Sequence, residues 1–409
     1  MNLQSGTYYW PTTMPDAPSY PTLAEDINCD VLVIGAGTSG AQCAYYLADK
    51  NLDVIVVEKG TVGHGSTATN TALIQYSGEK MFIDLVNAFG EEYVGRHLQL
   101  CRQAIDQIED AQTICPLSFE FTRRNSLNFA SYAEDVERLK QEAELLKKHQ
   151  FPLDFWSEKE ISQRFPFSKR AANYSYGDGE LNPFKFTHSL LQYATHHGTD
   201  VFENTEVNGM DFHHDHVEVR TKTGHMIHAK QVIVSAGYEG TDMKKEKNTV
   251  FVSTYTVTTK PVQDFSGWHE RALIWETARP YVFIRTTADN RVIIGGLDDT
   301  TSYPEVRDSM LINKRDRLIE EFNKLFPAIH VEPDYYSAAF YGGTHDGLPI
   351  IGQYPDYPNC HFLFGFGDNG TVYSMILAKI IADKLTSQSQ SDMPLYDPSR
   401  PLKKQMELS

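Results

Sequence analysis

The chain is predicted to be an α/β protein, α+β overall, in which a parallel nucleotide-type sheet is joined to a second, mainly antiparallel one. Three observations predict this. Val31-Leu32-Val33-Ile34, Val54-Ile55-Val56-Val57 and Val232-Ile233-Val234 are apolar without alternation and rich in β-branched residues, as strands buried on both faces of a parallel sheet are. Gly35, Gly37 and Gly40 form G-x-G-x-x-G between the first of these strands and a helical run from Ala41 to Asp49, the context in which that motif cradles a pyrophosphate. Residues 250 to 300 change character, with alternating runs such as VSTYTVTTKPV and PYVFIRT, typical of antiparallel strands.

The elements follow in order. Residues 1–27, rich in proline, tyrosine and threonine, read as an N-terminal arm packed by its aromatics or as a partly ordered leader. In the Rossmann-like unit after it, Gly35 permits the tight turn, Gly37 lets phosphates approach the main chain, and Gly40 lets helix pack on strand. Helix N–H groups at Thr38 and Ser39 face the phosphates. Glu58, 23 positions after Gly35, stands where a carboxylate accepts hydrogen bonds from a ribose and repels a 2′-phosphate. The loop of residues 60–76 supplies small hydroxyl residues beside phosphate or a flat ring. Helices are expected from Phe82 to about Thr113, from Tyr132 to His149, up to Gly198, and over 308–326. A hairpin is expected at Thr223-Gly224, and a strand, a glycine turn and a long helix close the chain at 361–385. The boundaries are 28–95, 181–245 and 335–390 for the nucleotide domain, 96–180 and 246–334 for the substrate domain, and 391–409 for a solvated tail that starts near the low-complexity SQSQSD.

Composition narrows the function. With 54 acidic and 37 basic residues the formal charge is −17, which argues against nucleic acid or an anionic membrane as a partner. Five cysteines, scattered and without C-x-x-C spacing, argue against a disulfide framework or a cysteine metal site. The N-terminus lacks a signal-peptide pattern, and no run reaches the ~18 apolar residues of a membrane span. A soluble cytoplasmic protein is expected, its oligomeric state open. His213-His214-Asp215-His216 offers ligand types but is read as an exposed turn, because adjacent strand residues point to opposite faces, and no metal site is expected.

GAGTSG with Glu58-Lys59, the Gly63-x-Gly65-Ser66-Thr67 loop, the VIVSAG strand, T-x-D-G-L-P-I-I-G from Thr344, and the Gly365/Gly367/Gly370 turn occur in one order. By these motifs the chain, over roughly residues 28–386, resembles the FAD-dependent oxidoreductases of the D-amino-acid oxidase, glycine oxidase and sarcosine oxidase superfamily. The resemblance implies FAD rather than NAD, with Gly35, Gly37, Gly40 and Glu58 at pyrophosphate and ribose. It implies Lys59, Gly65, Ser66, Thr67 and Asn70 in the loop beside the phosphates and flavin, Val207 at the adenine, and Ala236-Gly237 near the pyrophosphate. Asp346, Gly347, Leu348 and Pro349, with Gly367, Asp368, Asn369, Gly370 and Thr371, are expected to return over the flavin. Relatives with a covalently linked flavin carry histidine where this chain has Thr69, or cysteine where it has Ala339, so non-covalent FAD is expected.

The implied activity is hydride transfer from an amine or amino acid to FAD, with oxygen or another acceptor reoxidising the flavin. Oxidation of a 2-hydroxy acid and a structural or regulatory flavin are the alternatives. In PYVFIRT, alternation places Tyr281, Phe283 and Arg285 on one face, and Arg285 between aromatics suits a substrate carboxylate. Arg279 is the competing arginine. Tyr341 and His345 are expected near the ring, His345 as a proton carrier or a brace beside Asp346, and Lys260 as an aid to oxygen reactivity or a solvent-facing strand residue.

Overall fold

The computed structural model describes residues 2–78, 80–386 and 392–400. Its first sheet has eight strands among them. Ile27–Ile34 lies at the centre, flanked by Val54–Val57 and Met226–Val234, with Asp200–Phe202 and Cys360–Phe364 outside, all parallel. Ile350–Gly352 adds an antiparallel edge, and Val207–Phe212 and Val217–Thr221 extend from Met226–Val234 as an antiparallel meander. Residues 31–34, 54–57 and 232–234 are buried throughout, which is why these stretches are continuous apolar runs. Helices Thr38–Leu47, Pro183–His196 and Gly370–Leu385 pack together against them.

The second sheet has ten strands. Pro333–Thr344, Thr249–Thr259, Val292–Asp299 and Val282–Thr286 run antiparallel in that order. Leu273–Glu276 joins them to Thr122–Phe129 by a parallel pairing, and Ala171–Glu180 follows, with Leu153–Ser157 beside it. Helix Pro304–Leu325 covers this sheet, burying Leu318, Phe322 and Leu325 against Trp268 and Phe326.

Several boundaries differ from the sequence reading. The helix expected from Phe82 is two, Phe82–Phe89 and Glu91–Ile114, broken at Gly90, whose φ of 94° no helix accommodates. Strands Thr122–Phe129, Leu153–Ser157 and Ala171–Glu180 were not anticipated. Their charged and amide residues mask alternation, although Asn128, Asn173, Asp178 and Glu180 are all buried. Pro333–Thr344 belongs to the second sheet, not to the nucleotide unit begun at 335, and Leu73–Ile74, inside 28–95, pairs with Ala171–Glu180. Their neighbours are chosen by hydrogen bonding across hundreds of residues, which local composition does not encode.

The arm is ordered and structural. Gln4–Gly6 pairs with Pro333–Thr344, Tyr9 donates a hydrogen bond to Asp289, and Trp10 Nε1 donates to Asn70 O at 2.6 Å. Ser391 and residues 401–409 of the expected tail lie outside the described residues, but Asp392–Arg400 corrects the solvated reading. Tyr396 is fully buried, its hydroxyl 3.0 Å from His97 Nδ1. Arg400 is buried too, gripping both Asp346 oxygens at 2.8 and 2.9 Å and donating to Leu348 O and Pro349 O.

Burial by itself raises the Asp346 pKa, but Arg400, the Leu348 N–H and Asn248 together outweigh it and hold the carboxyl below its ordinary value. Stability from this group is therefore complete above the ordinary carboxylate pKa and is lost as pH falls through the lowered one. Arg400→Ala strands a buried carboxylate and is expected to cost about 3–5 kcal/mol, read by chemical denaturation at neutral pH.

Candidate active site

The site is built on two helix N-termini at the carboxyl ends of parallel strands. Gly35 follows strand Ile27–Ile34 with φ 104°, and a Cβ there would lie 2.7 Å from Ser235 O. Gly40 lies below the cavity, not in its wall. A Cβ on it would stand 1.8 Å from Gly35 O, so only glycine lets helix Thr38–Leu47 start this close to the strand turn. Thr67 Oγ1 accepts from Thr38 N at 3.0 Å and contacts Thr38 Oγ1 at the same distance, which fixes the loop to the helix start. Glu58 accepts from Ala36 N and Gly60 N, both at 2.9 Å. Its carboxylate is thereby held at the end of Val54–Val57.

The second terminus comes from the other end of the chain. Ser39 Oγ lies 2.7 Å from Ser374 Oγ, Gln42 Nε2 donates to Thr371 O at 2.9 Å, and Asn70 Nδ2 donates to Thr371 Oγ1 at 3.0 Å. These bonds lock helix Gly370–Leu385 beside Thr38–Leu47, so the positive ends of both dipoles open toward one space.

That space is a single cavity of about 760 Å³, large for a small-molecule site. Gly35, Gly37, Thr38, Ser39, Glu58, Lys59, Gly65, Ser66, Thr67, Asn70, Val207, Ala236 and Gly237 line it, as do Gly367, Asp368, Gly370 and Thr371. Tyr281, Phe283 and Tyr341 line it from the second sheet, together with Trp275, Asp298 and Gln75, which sequence reasoning missed. Trp275 sits on a short strand whose WE pair carries no recognisable motif.

Other expected residues stand elsewhere. Arg285 shares the face of Tyr281 and Phe283 but is roofed over by the arm. It is 1% exposed, its guanidinium 5.1 Å from the Trp10 ring centroid, donating to Leu181 O at 2.8 Å and 3.7 Å from Glu180. Burial pushes its pKa down against the pull of Glu180. His345 and Asp346 belong to the clasp around Arg400 and Asn248, and Gly347 turns beside Lys80. Asn369, buried behind the wall, donates to Gln75 O and stands just before the last helix without a side-chain capping bond. Arg279 is exposed, stacked over Tyr281 at 4.8 Å, and Lys260 is exposed and paired with Glu332 at 2.7 Å.

The lining fits a dinucleotide. A Cβ on Gly65 or Gly237 would meet nothing within 4 Å, so bare backbone forms the wall at both places. Among the described residues, Trp275 Nε1 is a buried donor with no partner, and Asn369 Oδ1 a buried acceptor with none. Thr69 and Ala339, at the positions of covalent linkage in some relatives, both line the cavity and neither side chain can make such a bond.

Behind the wall, Gln75 Nε2 donates to Ser126 Oγ at 3.2 Å, and Ser126 Oγ donates to Asp178 at 2.5 Å. Burial pushes the Asp178 carboxyl up to about 7, against the bonds from Ser126 and Tyr76 N. Between its ordinary pKa near 3.8 and about 7, the folded chain holds a proton that the unfolded chain has released. Stability from this group is therefore present at low pH and lost as pH rises through 7.

Two substitutions test this architecture. Gly40→Ala is expected to lower the melting temperature and weaken flavin retention together, because helix and turn must separate to admit the methyl group. Asp178→Asn is expected to flatten the decline in stability between pH 5 and pH 8, measured by denaturant titration at each pH.

A family model described as FAD dependent oxidoreductase matches residues 30–384. Glycine oxidase of Bacillus subtilis (strain 168) is 22% identical over 88% of this chain and 93% of its own length. Gamma-glutamylputrescine oxidoreductase of Escherichia coli (strain K12) is 22% identical over 95% and 91%. Among solved structures, L-amino acid deaminase from Proteus vulgaris superposes with a TM-score of 0.77 at 17% identity, covering 97% of this chain and 100% of the other. The family match runs through both sheets and ends in the helix that closes the cavity, and the chain belongs to the DAO family of FAD-dependent oxidoreductases and holds its FAD non-covalently.

Proposed function

We propose that this chain removes a hydride from the carbon bearing the nitrogen of a small amine or amino acid. The observation that carries the reading is continuity. The backbone turns and Glu58, which suit a dinucleotide, share one cavity with Trp275, Tyr281, Phe283 and Tyr341, which suit a small organic substrate. Bound FAD supplies the two-electron acceptor.

The chain's own part is to bind, orient and exclude water. Gly35, Gly37, the first turn of helix Thr38–Leu47, Ser66 and Thr67 hold phosphate and ribityl oxygens, and Glu58 holds a ribose. Val207 supports the adenine side, and Gly367, Gly370 and Thr371 cover the ring. Aromatic faces pack against the hydrocarbon part of the substrate, and the Trp275 N–H offers a hydrogen bond to an acceptor on it. His345 and Arg285 are outside the cavity wall, so neither serves as proton carrier or carboxylate grip, and the amine reacts in its neutral form. Oxygen or another acceptor takes the electrons. The five free, buried cysteines suit a reducing cytoplasm, and no described helix is long and apolar enough to cross a membrane.

An anaerobic panel of amines, amino acids and 2-hydroxy acids tests this, with loss of the oxidised-flavin absorbance as the readout. Amines or amino acids are expected to bleach the flavin, and bleaching by hydroxy acids alone would sink the proposal. Trp275→Phe, which keeps the ring and removes the donor, is expected to raise KM roughly two- to tenfold with little change in kcat.

A further inference from the structure

The hairpin between Val207–Phe212 and Val217–Thr221 carries side chains that the flavin chemistry does not use. His213 N donates to His216 O at 2.9 Å, so these two residues close a two-residue loop, His214-Asp215. Their rings stack with centroids 4.4 Å apart and planes 11° from parallel. Glu218 follows His216 by two positions in a strand and therefore shares its face. The register then sets Glu218 directly opposite His228 on Met226–Val234.

Three imidazoles thus surround one carboxylate. His213 Nε2 lies 3.8 Å from Glu218 Oε2, His216 Nε2 lies 3.8 Å from Oε1, and His228 Nδ1 lies 3.6 Å from the same Oε1. These separations exceed a hydrogen bond. Two ligands held about 2.0–2.2 Å from zinc at the tetrahedral angle stand about 3.3–3.5 Å apart, within a small side-chain adjustment of those seen. Ligand atoms of His213, His216 and Glu218 all fall within 4.8 Å of one another, and His228, outside that group, reaches it by a side-chain swing from its place 3.6 Å from Glu218. Adjacency in HHDH argued against a metal because neighbouring residues point apart. The convergent groups come instead from alternate positions and from the strand opposite, a relation set by sheet register.

We propose that His213, His216 and Glu218, with His228 as fourth ligand, bind a divalent cation of the zinc class. Imidazole nitrogens with one carboxylate favour zinc, nickel or copper over magnesium or calcium, which take oxygen ligands. The backbone of the hairpin already holds the ligands on one face, so binding orders side chains alone and clamps three strands together. None of the four residues lines the flavin cavity.

The test uses the untagged, FAD-loaded full chain, stripped with a chelator and titrated calorimetrically with zinc sulfate at neutral pH. One equivalent is expected to bind with a Kd on the order of micromolar and to raise the melting temperature. Glu218→Gln and His216→Ala are expected to weaken binding at least tenfold while leaving flavin absorbance and turnover unchanged. His213→Asn serves in place of either if it fails to fold. Absence of binding, or binding equal in wild type and variants, overturns the site. Titration with Co2+ is expected to give the strong visible bands of a tetrahedral complex, and the weak bands of hydrated cobalt would overturn the four-ligand assignment.

Discussion

Everything in this molecule depends on two helix starts being held side by side. Ser39 against Ser374 and Gln42 against Thr371 join helices more than three hundred residues apart in the chain, and the space their first turns face is the cavity. A helix terminus leaves N–H groups unsatisfied and carries partial positive charge. Placing two at one point concentrates both effects without a cationic side chain. Lys59, the only lysine among the described lining residues, already has a partner in Glu239.

The second sheet is the consequence of leaving that face open. Its central strands bring Trp275, Tyr281 and Phe283 together as a small aromatic cluster with Leu73 packed against them, and Gly295 makes room for it, since a Cβ there would meet the Phe283 ring at 2.2 Å. The N-terminal arm then completes the wall. Asn2, Leu3 and Gln4 reach the cavity itself, while Trp10 covers Arg285 and bonds the Asn70 loop. A guanidinium so covered is a framework group, 3.7 Å from Glu180 with one donor on Leu181 O, and it stands outside the cavity wall.

The nucleotide half was legible because its constraints are local. A strand buried on both faces must be apolar throughout, and the crossing at Gly40 forbids a side chain, so both leave marks within a few residues. The aromatic run at Tyr281 and Phe283 was legible by alternation for the same reason. Arg285 satisfied that alternation equally well, and the sequence could not tell which end of the strand a distant arm would cover. Asp346 sits in a recognisable motif, yet its partner Arg400 is 54 residues away and belongs to a segment that reads as a tail.

The sequence by itself determined a dinucleotide site, the parallel sheet, the glycine turns and the helix that begins beneath them, because steric exclusion and strand burial act between near neighbours. Tertiary structure alone decided which polar groups meet. It put Trp275 in the cavity wall, took Arg285 and His345 out of it, and set His216, Glu218 and His228 on one face by strand register. Hydrogen bonds across a sheet fix such relations between residues whose spacing along the chain is arbitrary, and no local pattern records them.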